Sequence, residues 1–162
     1  SKKTTHACCF LCALCVLCGL RFTKCKAARN VKCANSDGYN TLVYSPQLLD
    51  HFEHPRNAGV LPEAQASVQV ENPVCGDVLK LTASLQGDVI AEIRFQAKGC
   101  VPSMACGSAL TQLASGKTMA VAASLRVEDV LASVGGVPPA STHAAQLAID
   151  ALRSLLATVA RL

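Results

Sequence analysis

The chain has 162 residues, of which 51% are hydrophobic and 4% aromatic, and it carries a formal net charge of +4. This length allows one ordinary domain with a buried, mainly aliphatic core. Residues 1–42 contain seven Lys or Arg and one Asp, whereas residues 43–162 contain eight Lys or Arg and ten Asp or Glu. Because a nucleic-acid-binding domain needs a basic patch in its folded part, the slightly acidic body excludes that class.

Residues 1–42 form a basic leader that holds seven of the ten cysteines. Its uncharged stretch, residues 7–20, is too short for a comfortable transmembrane helix but fits the apolar part of a signal peptide, and the acid-poor composition also fits a transit peptide. Five cysteines between Cys8 and Cys18 are unusual for either signal, and a metal-binding cluster is a further alternative. We interpret the leader as a non-native extension that ends before Val43, or else as a targeting segment.

The body, residues 43–162, holds only Cys75, Cys100 and Cys106. An odd number of cysteines in such a sequence context is not the pattern of a small disulfide-stabilised domain. We therefore predict a reduced, cytoplasmic protein, with no membrane contact for residues 43–162.

The first helix of the body is predicted to begin at Ser45, a helix-capping residue followed by proline at the first helical position. Breaker residues at 54–59 end this helix. His51 and His54 could be metal ligands, but beside a helix end we interpret both as surface or capping residues.

Three strands are predicted next, at residues 66–71, 78–85 and 89–97, and a glycine turn joins the second to the third. The last two strands alternate apolar and polar residues, which indicates an antiparallel hairpin with one solvated face. The inward positions are predicted to be Leu79, Leu81, Ala83, Leu85, Ala91, Ile93 and Phe95.

Helices follow the strands. Three are predicted at residues 103–115, 118–123 and 127–134, and a long amphipathic helix covers residues 143–162. Strands first and helices afterwards predict an α+β fold, here a small three-stranded antiparallel sheet covered by helices, with a short N-terminal helix and a long C-terminal one.

Four side chains that can bind metal lie where these elements begin or end. Cys75 and Asp77 are two residues apart with flexible Gly76 between them, Cys100 precedes a helix, and His143 begins the last helix. Thiolates, carboxylates and imidazoles are ligands of zinc and of iron–sulfur clusters, and a helix N-terminus lowers the pKa of a thiol. The alternative is a pair of small buried thiols, and spacing alone leaves the two interpretations nearly balanced.

Three stretches resemble the NifU/IscU-type family of iron–sulfur cluster assembly scaffolds. Residues 44–59 are similar to the opening of that family, residues 72–77 to its first ligand loop, and residues 95–100 to its second. The intervals between the stretches also match. The resemblance extends from Tyr44 to the C-terminus and includes no part of residues 1–42.

The resemblance implies a ligand set of three cysteines, one aspartate and one histidine. Cys75, Asp77, Cys100 and His143 take four of these places, but Ala144 stands where the family has its third cysteine. The chaperone-recognition sequence of the family is also reduced here, to residues 137–141 without its lysine. Recognition by an Hsp70-type chaperone is therefore doubtful.

Cys106 has two interpretations. It lies six residues after Cys100 and beside small residues, so it could replace the missing third cysteine as a cluster ligand. Alternatively, it is a buried thiol that faces the sheet. Without Cys106, the four remaining ligands still suit tetrahedral zinc.

The function that the resemblance implies is a non-enzymatic scaffold. It would accept iron, and sulfur from a cysteine desulfurase, assemble a labile 2Fe–2S cluster, and pass the cluster to apo-proteins. One alternative is a zinc-binding module that regulates or docks on the desulfurase. Another is a sulfur relay in which Cys100 or Cys106 carries a persulfide.

Overall fold

The computed structural model describes residues 44–161, so the predictions made for the leader concern residues outside this range. The helices and strands are α1 (Pro46–Glu53), β1 (Ala66–Glu71), β2 (Val78–Gln86), β3 (Val89–Lys98), α2 (Val101–Ala114), α3 (Met119–Ser124), α4 (Val127–Ser133), a 3₁₀ turn (Pro139–Ser141) and α5 (His143–Val159). The predicted α+β class and the order of its elements are confirmed.

The sheet has the order β1-β2-β3, and both strand pairs are antiparallel. Leu81, in the central strand, lies opposite Val68 on one side and Phe95 on the other. A two-residue turn joins β2 to β3, and its Gly87 has φ +62°, the left-handed conformation that favours glycine. The predicted hairpin is therefore present.

A β-bulge changes the inward face of β3. The pairing shifts between Ser84 and Leu85, so that Leu85 lies opposite Ile90 and Ala91 becomes the extra residue. Ile90 is 1% exposed while Ala91 is only half-buried. The prediction that Ala91 points inward was wrong, because a bulge reverses the alternation of faces on the bulged strand.

Helices α2 and α5 cover one face of this sheet. Helix α2 packs on β3, whereas α5 packs on β1 and β2. The approach of α2 depends on Gly107, since a Cβ there would lie 2.8 Å from Phe95 Cδ2 and 3.1 Å from Leu79 Cδ1. In the part of the chain that the structure describes, no helix combines the length and apolar character needed to cross a membrane.

Helix α1 is attached to α2 by a buried hydrogen-bond cluster. Its N-terminus is capped by Ser45, whose Oγ accepts from the Leu48 amide at 3.0 Å. Nδ1 of His51 lies 3.0 Å from Ser108 Oγ on α2, and the Arg56 amide donates to the same hydroxyl at 2.8 Å. The two contacts with Ser108 hold His51 and Arg56 against α2.

The two histidines of this region differ in environment. His54 is exposed and follows the last residue of α1, as predicted. His51 is only 6% exposed, so its assignment to the surface was wrong. Burial and the nearby Arg56 lower the pKa of His51, and Asp50 opposes this shift.

Candidate metal centre

The first two candidate ligands lie on the loop that joins β1 to β2. Asn72 folds this loop, because its Oδ1 accepts from the Val74 amide at 2.9 Å and its carbonyl accepts from the Gly76 amide at 2.8 Å. Gly76 has φ +71°, which glycine adopts without the strain that a side chain brings. The loop thereby exposes Cys75 and buries Asp77, which is 5% exposed.

All four side chains predicted from the sequence converge on one place. Cys75, Asp77 and His143 offer ligand atoms that lie within 4.8 Å of one another. Cys100, the residue before α2, joins them through Asp77, since its Sγ lies 3.1 Å from Asp77 Oδ2 and donates to it. Three separate segments therefore supply the candidate ligands: the β1–β2 loop, the start of α2 and the start of α5.

Asp77 is ionised in spite of its burial. Burial favours the protonated carboxyl, but hydrogen bonds from Ser103, Cys100 and Cys75 outweigh it and hold the pKa of Asp77 below its ordinary value. The carboxylate is therefore available as a metal ligand at neutral pH.

Cys100 does not have the low pKa that its position at a helix start predicted. Burial raises its pKa, the hydrogen bond with Ser103 opposes this, and the neighbouring Asp77 raises it further. The prediction was wrong because desolvation and a nearby carboxylate outweigh the helix dipole at this thiol. A metal ion that binds Cys100 would therefore have to displace the proton of its thiol.

Ser103 belongs to the site, although it was not among the side chains predicted from the sequence. The side chain is 3% exposed, its Oγ donates to Asp77 Oδ2, and the same Oγ lies 3.3 Å from Cys100 Sγ. The available signal was its position in the first turn of α2, three residues after Cys100, because residues three apart lie on the same face of a helix.

Gly99 makes room for the carboxylate of Asp77. A Cβ at this position would lie 2.8 Å from Asp77 Cβ and closer still to its carboxyl group. Residue 99 must therefore lack a side chain if Asp77 is to keep its observed conformation.

The structure favours the buried-thiol interpretation of Cys106. Its side chain is 0% exposed and belongs to the hydrophobic core. Burial raises the pKa of Cys106 to about 12, and the nearby Cys100 adds to the shift. Six residues along an α-helix correspond to about 1.7 turns, so Cys106 lies on a different side of α2 from Cys100.

Ala144, at the place of the missing third cysteine, is also part of the core. It is 1% exposed and follows His143 directly in the first turn of α5. In this chain that position contributes a buried methyl group and no ligand atom.

The donor set suits a soft or borderline metal. Two sulfurs, one oxygen and one nitrogen are ligand types of zinc and of iron in iron–sulfur clusters. Metal–ligand bonds of roughly 2.0–2.3 Å place the ligand atoms of a tetrahedral ion about 3.3–3.8 Å apart. The three atoms within 4.8 Å of one another would need only a small closure to reach that arrangement.

A family model described as the NifU-like N terminal domain matches residues 43–160. The chain therefore belongs to this family, as the three sequence stretches had indicated.

Particular relatives agree with this assignment. The iron-sulfur cluster assembly scaffold protein IscU 1 of Archaeoglobus fulgidus is 38% identical over 111 residues, which cover 68% of this chain and 72% of the relative. The zinc-dependent sulfurtransferase SufU of Bacillus subtilis is 40% identical over 83 residues, or 51% of this chain and 56% of the relative. A crystal structure of a NifU-like protein (N-terminal) from Brucella abortus shares the fold, with a TM-score of 0.60 and 17% identity over 75% of this chain and 96% of that one.

Proposed function

We propose that this chain is a non-enzymatic scaffold on which an iron–sulfur cluster is assembled. The observation that carries the proposal is the convergence of Cys75, Asp77, Cys100 and His143 from three segments of the fold. Membership of the NifU-like N-terminal domain family and the relative named as an iron-sulfur cluster assembly scaffold support it.

Iron and sulfur are the substrates of this scaffold, and each candidate ligand contributes differently to holding them. Cys75 is exposed at the β1–β2 loop, where a partner that delivers sulfur can reach it. Cys100 and His143 are half-buried and hold the product from the helix side. Asp77 is the weak ligand, since carboxylate oxygen binds soft metals less well than thiolate, and this keeps a 2Fe–2S cluster transferable.

The partners that follow from this role are a cysteine desulfurase, which supplies sulfur, and apo-proteins, which receive the cluster. An Hsp70-type chaperone is a disfavoured partner, because Ser141 stands where the family has its lysine. A cytoplasmic location remains a prediction from the three cysteines of the body.

A second candidate function is a zinc-bound module that docks on the desulfurase or accepts its sulfur. Two observations favour it: the four candidate donors are of types that bind zinc, and one relative is named a zinc-dependent sulfurtransferase. As a persulfide carrier, Cys106 is unsuited, because its side chain is 0% exposed and its pKa is raised to about 12. Of the two cysteines predicted to carry a persulfide, Cys100 remains the candidate.

Anaerobic reconstitution with iron and sulfide separates the two functions. The full chain is used with its seven leader cysteines changed to serine, here called the parent, so that only Cys75, Cys100 and Cys106 remain. The scaffold proposal expects thiolate-to-iron charge-transfer absorption together with equal amounts of iron and sulfide.

Two variants of the parent show which cysteine the absorption depends on. Cys75→Ala should abolish it, whereas Cys106→Ala should retain it. A colourless parent that holds one zinc ion per chain would contradict the scaffold proposal and favour the zinc module.

A further inference from the structure

The hydroxyl of Ser103 has a role that the ligand set alone does not assign. We infer that Ser103 is a positioning residue that holds Asp77 in its ligating orientation while metal binds. The inference rests on the proposed function, since it concerns the same site.

Ser103 is buried and in direct contact with the carboxylate of Asp77. It is 3% exposed, its Oγ donates to Asp77 Oδ2, and it stands in the first turn of α2. A side chain buried in a regular helix has few alternative conformations, so it fixes the oxygen that it contacts.

The other side-chain donor to Asp77 Oδ2 does not survive coordination. Two side chains donate hydrogen bonds to this oxygen, namely Ser103 and Cys100. Cys100 is itself a candidate ligand, and a metal ion bound to its sulfur takes the place of the thiol hydrogen. Once the Cys100 thiolate binds metal, Ser103 is the one of these two donors that remains.

The same hydroxyl also lies near the sulfur of Cys100. Its Oγ is 3.3 Å from Cys100 Sγ, but a serine hydroxyl carries a single hydrogen. With that hydrogen donated to Asp77, Ser103 contacts both ligands and holds the carboxylate beside the thiol. Removing the hydroxyl therefore frees the carboxylate without removing any ligand.

The test is a titration of the parent chain with Co²⁺, followed by visible absorption. Cobalt is used because its spectrum reports the number and geometry of the ligands in a zinc-type site. Ser103→Ala should weaken cobalt binding by about tenfold, the lower end of the usual effect of losing a hydrogen-bond partner of a metal ligand. The thiolate-to-cobalt bands of Cys75 and Cys100 should remain. The ligand-field bands should shift, as water replaces a loosely held carboxylate.

Ser108→Ala is the matched control. Ser108 is as buried as Ser103 and lies on the same helix, but its hydroxyl contacts His51 and Arg56. Its loss should lower the stability of the fold and leave cobalt affinity within about twofold.

Two outcomes contradict the inference while the site itself stands. One is a Ser103→Ala variant with the affinity and ligand-field spectrum of the parent. The other is a Ser108→Ala variant that loses as much affinity as Ser103→Ala, which would make the effect a general weakening of α2.

Failure of the proposed function gives a different result. A parent that binds cobalt through its thiolates but assembles no cluster contradicts the scaffold function and leaves the inference about Ser103 intact. A parent without thiolate-to-cobalt bands contradicts the site and the inference together.

Discussion

The substitution Gly99→Ala tests how tightly the site is built around Asp77. The added methyl group would lie 2.8 Å from Asp77 Cβ, whereas real Cβ atoms essentially never approach another atom to within 3.0 Å. Rotation of the carboxylate can relieve its own clash, but the clash with Asp77 Cβ also requires a backbone shift. We therefore expect Asp77 to leave its present position.

Two costs add to give the expected loss of stability. Overpacking of a filled region costs about 1–3 kcal/mol, and each buried hydrogen bond lost from Asp77 to Ser103 or Cys100 costs about 1 kcal/mol. With one or both hydrogen bonds lost, a free energy of unfolding lower by about 2–5 kcal/mol is expected from urea denaturation. Cobalt affinity should fall by at least about tenfold, because the carboxylate no longer reaches the metal.

The control for Gly99→Ala is Gly87→Ala in the hairpin turn. Gly87 has φ +62° and nothing within 4 Å of an added Cβ, so its substitution costs about 1–2 kcal/mol of backbone strain away from the site. It should destabilise the fold without changing cobalt affinity. If Gly99→Ala bound cobalt as tightly as the parent, the account of how Asp77 is placed would be wrong.

The remaining predictions concern two buried groups, Cys106 and His51. Cys106→Ala should lower the free energy of unfolding by about 1–2 kcal/mol through the lost apolar contact and leave cobalt binding unchanged; weakened binding would restore Cys106 as a ligand. In the parent, Cys106 should resist alkylation until the chain unfolds, since burial keeps it a thiol. Folding lowers the pKa of His51, so as the pH falls the unfolded chain protonates this histidine before the folded chain does. The folded state therefore loses stability as the pH falls below about 6.5, the ordinary pKa of histidine. Urea denaturation at pH 7.5 and 5.5 should therefore show a smaller pH effect in His51→Gln, and an equal effect in both chains would contradict this.

Local patterns predicted the fold well where one face of an element is solvated. The alternation along β2 and β3 identified the hairpin, and the resemblance of residues 44–59, 72–77 and 95–100 identified the family. The bulge at Ala91 could not be predicted in this way, since it depends on how two strands pair and not on the composition of either.

The sequence predicted which side chains meet at the candidate site, but not the residues that surround them. Cys75, Asp77, Cys100 and His143 come together as expected, and their binding of metal remains a prediction. In the sequence, Ser103 is one of several small residues of a predicted helix. Its hydroxyl reaches the carboxylate of Asp77 only because α2 packs against the β1–β2 loop.

Burial explains the errors about single groups. His51 was assigned to a surface or capping position because the sequence of α1 does not reveal that its side chain meets Ser108 on α2. The pKa of Cys100 was predicted from the helix dipole, whereas desolvation has the larger effect in the folded chain. Both effects depend on residues distant in sequence.

Transfer of the cluster to an acceptor protein is the decisive test of the scaffold function. The reconstituted parent is mixed with an apo-ferredoxin in the presence of an iron chelator, and circular dichroism follows both proteins. We predict that the signal of the parent disappears as that of the holo-ferredoxin develops, because weak coordination by Asp77 would let the cluster leave. A cluster that stays on the parent, or is lost to the chelator without reaching the ferredoxin, would contradict the assignment of this chain as a scaffold.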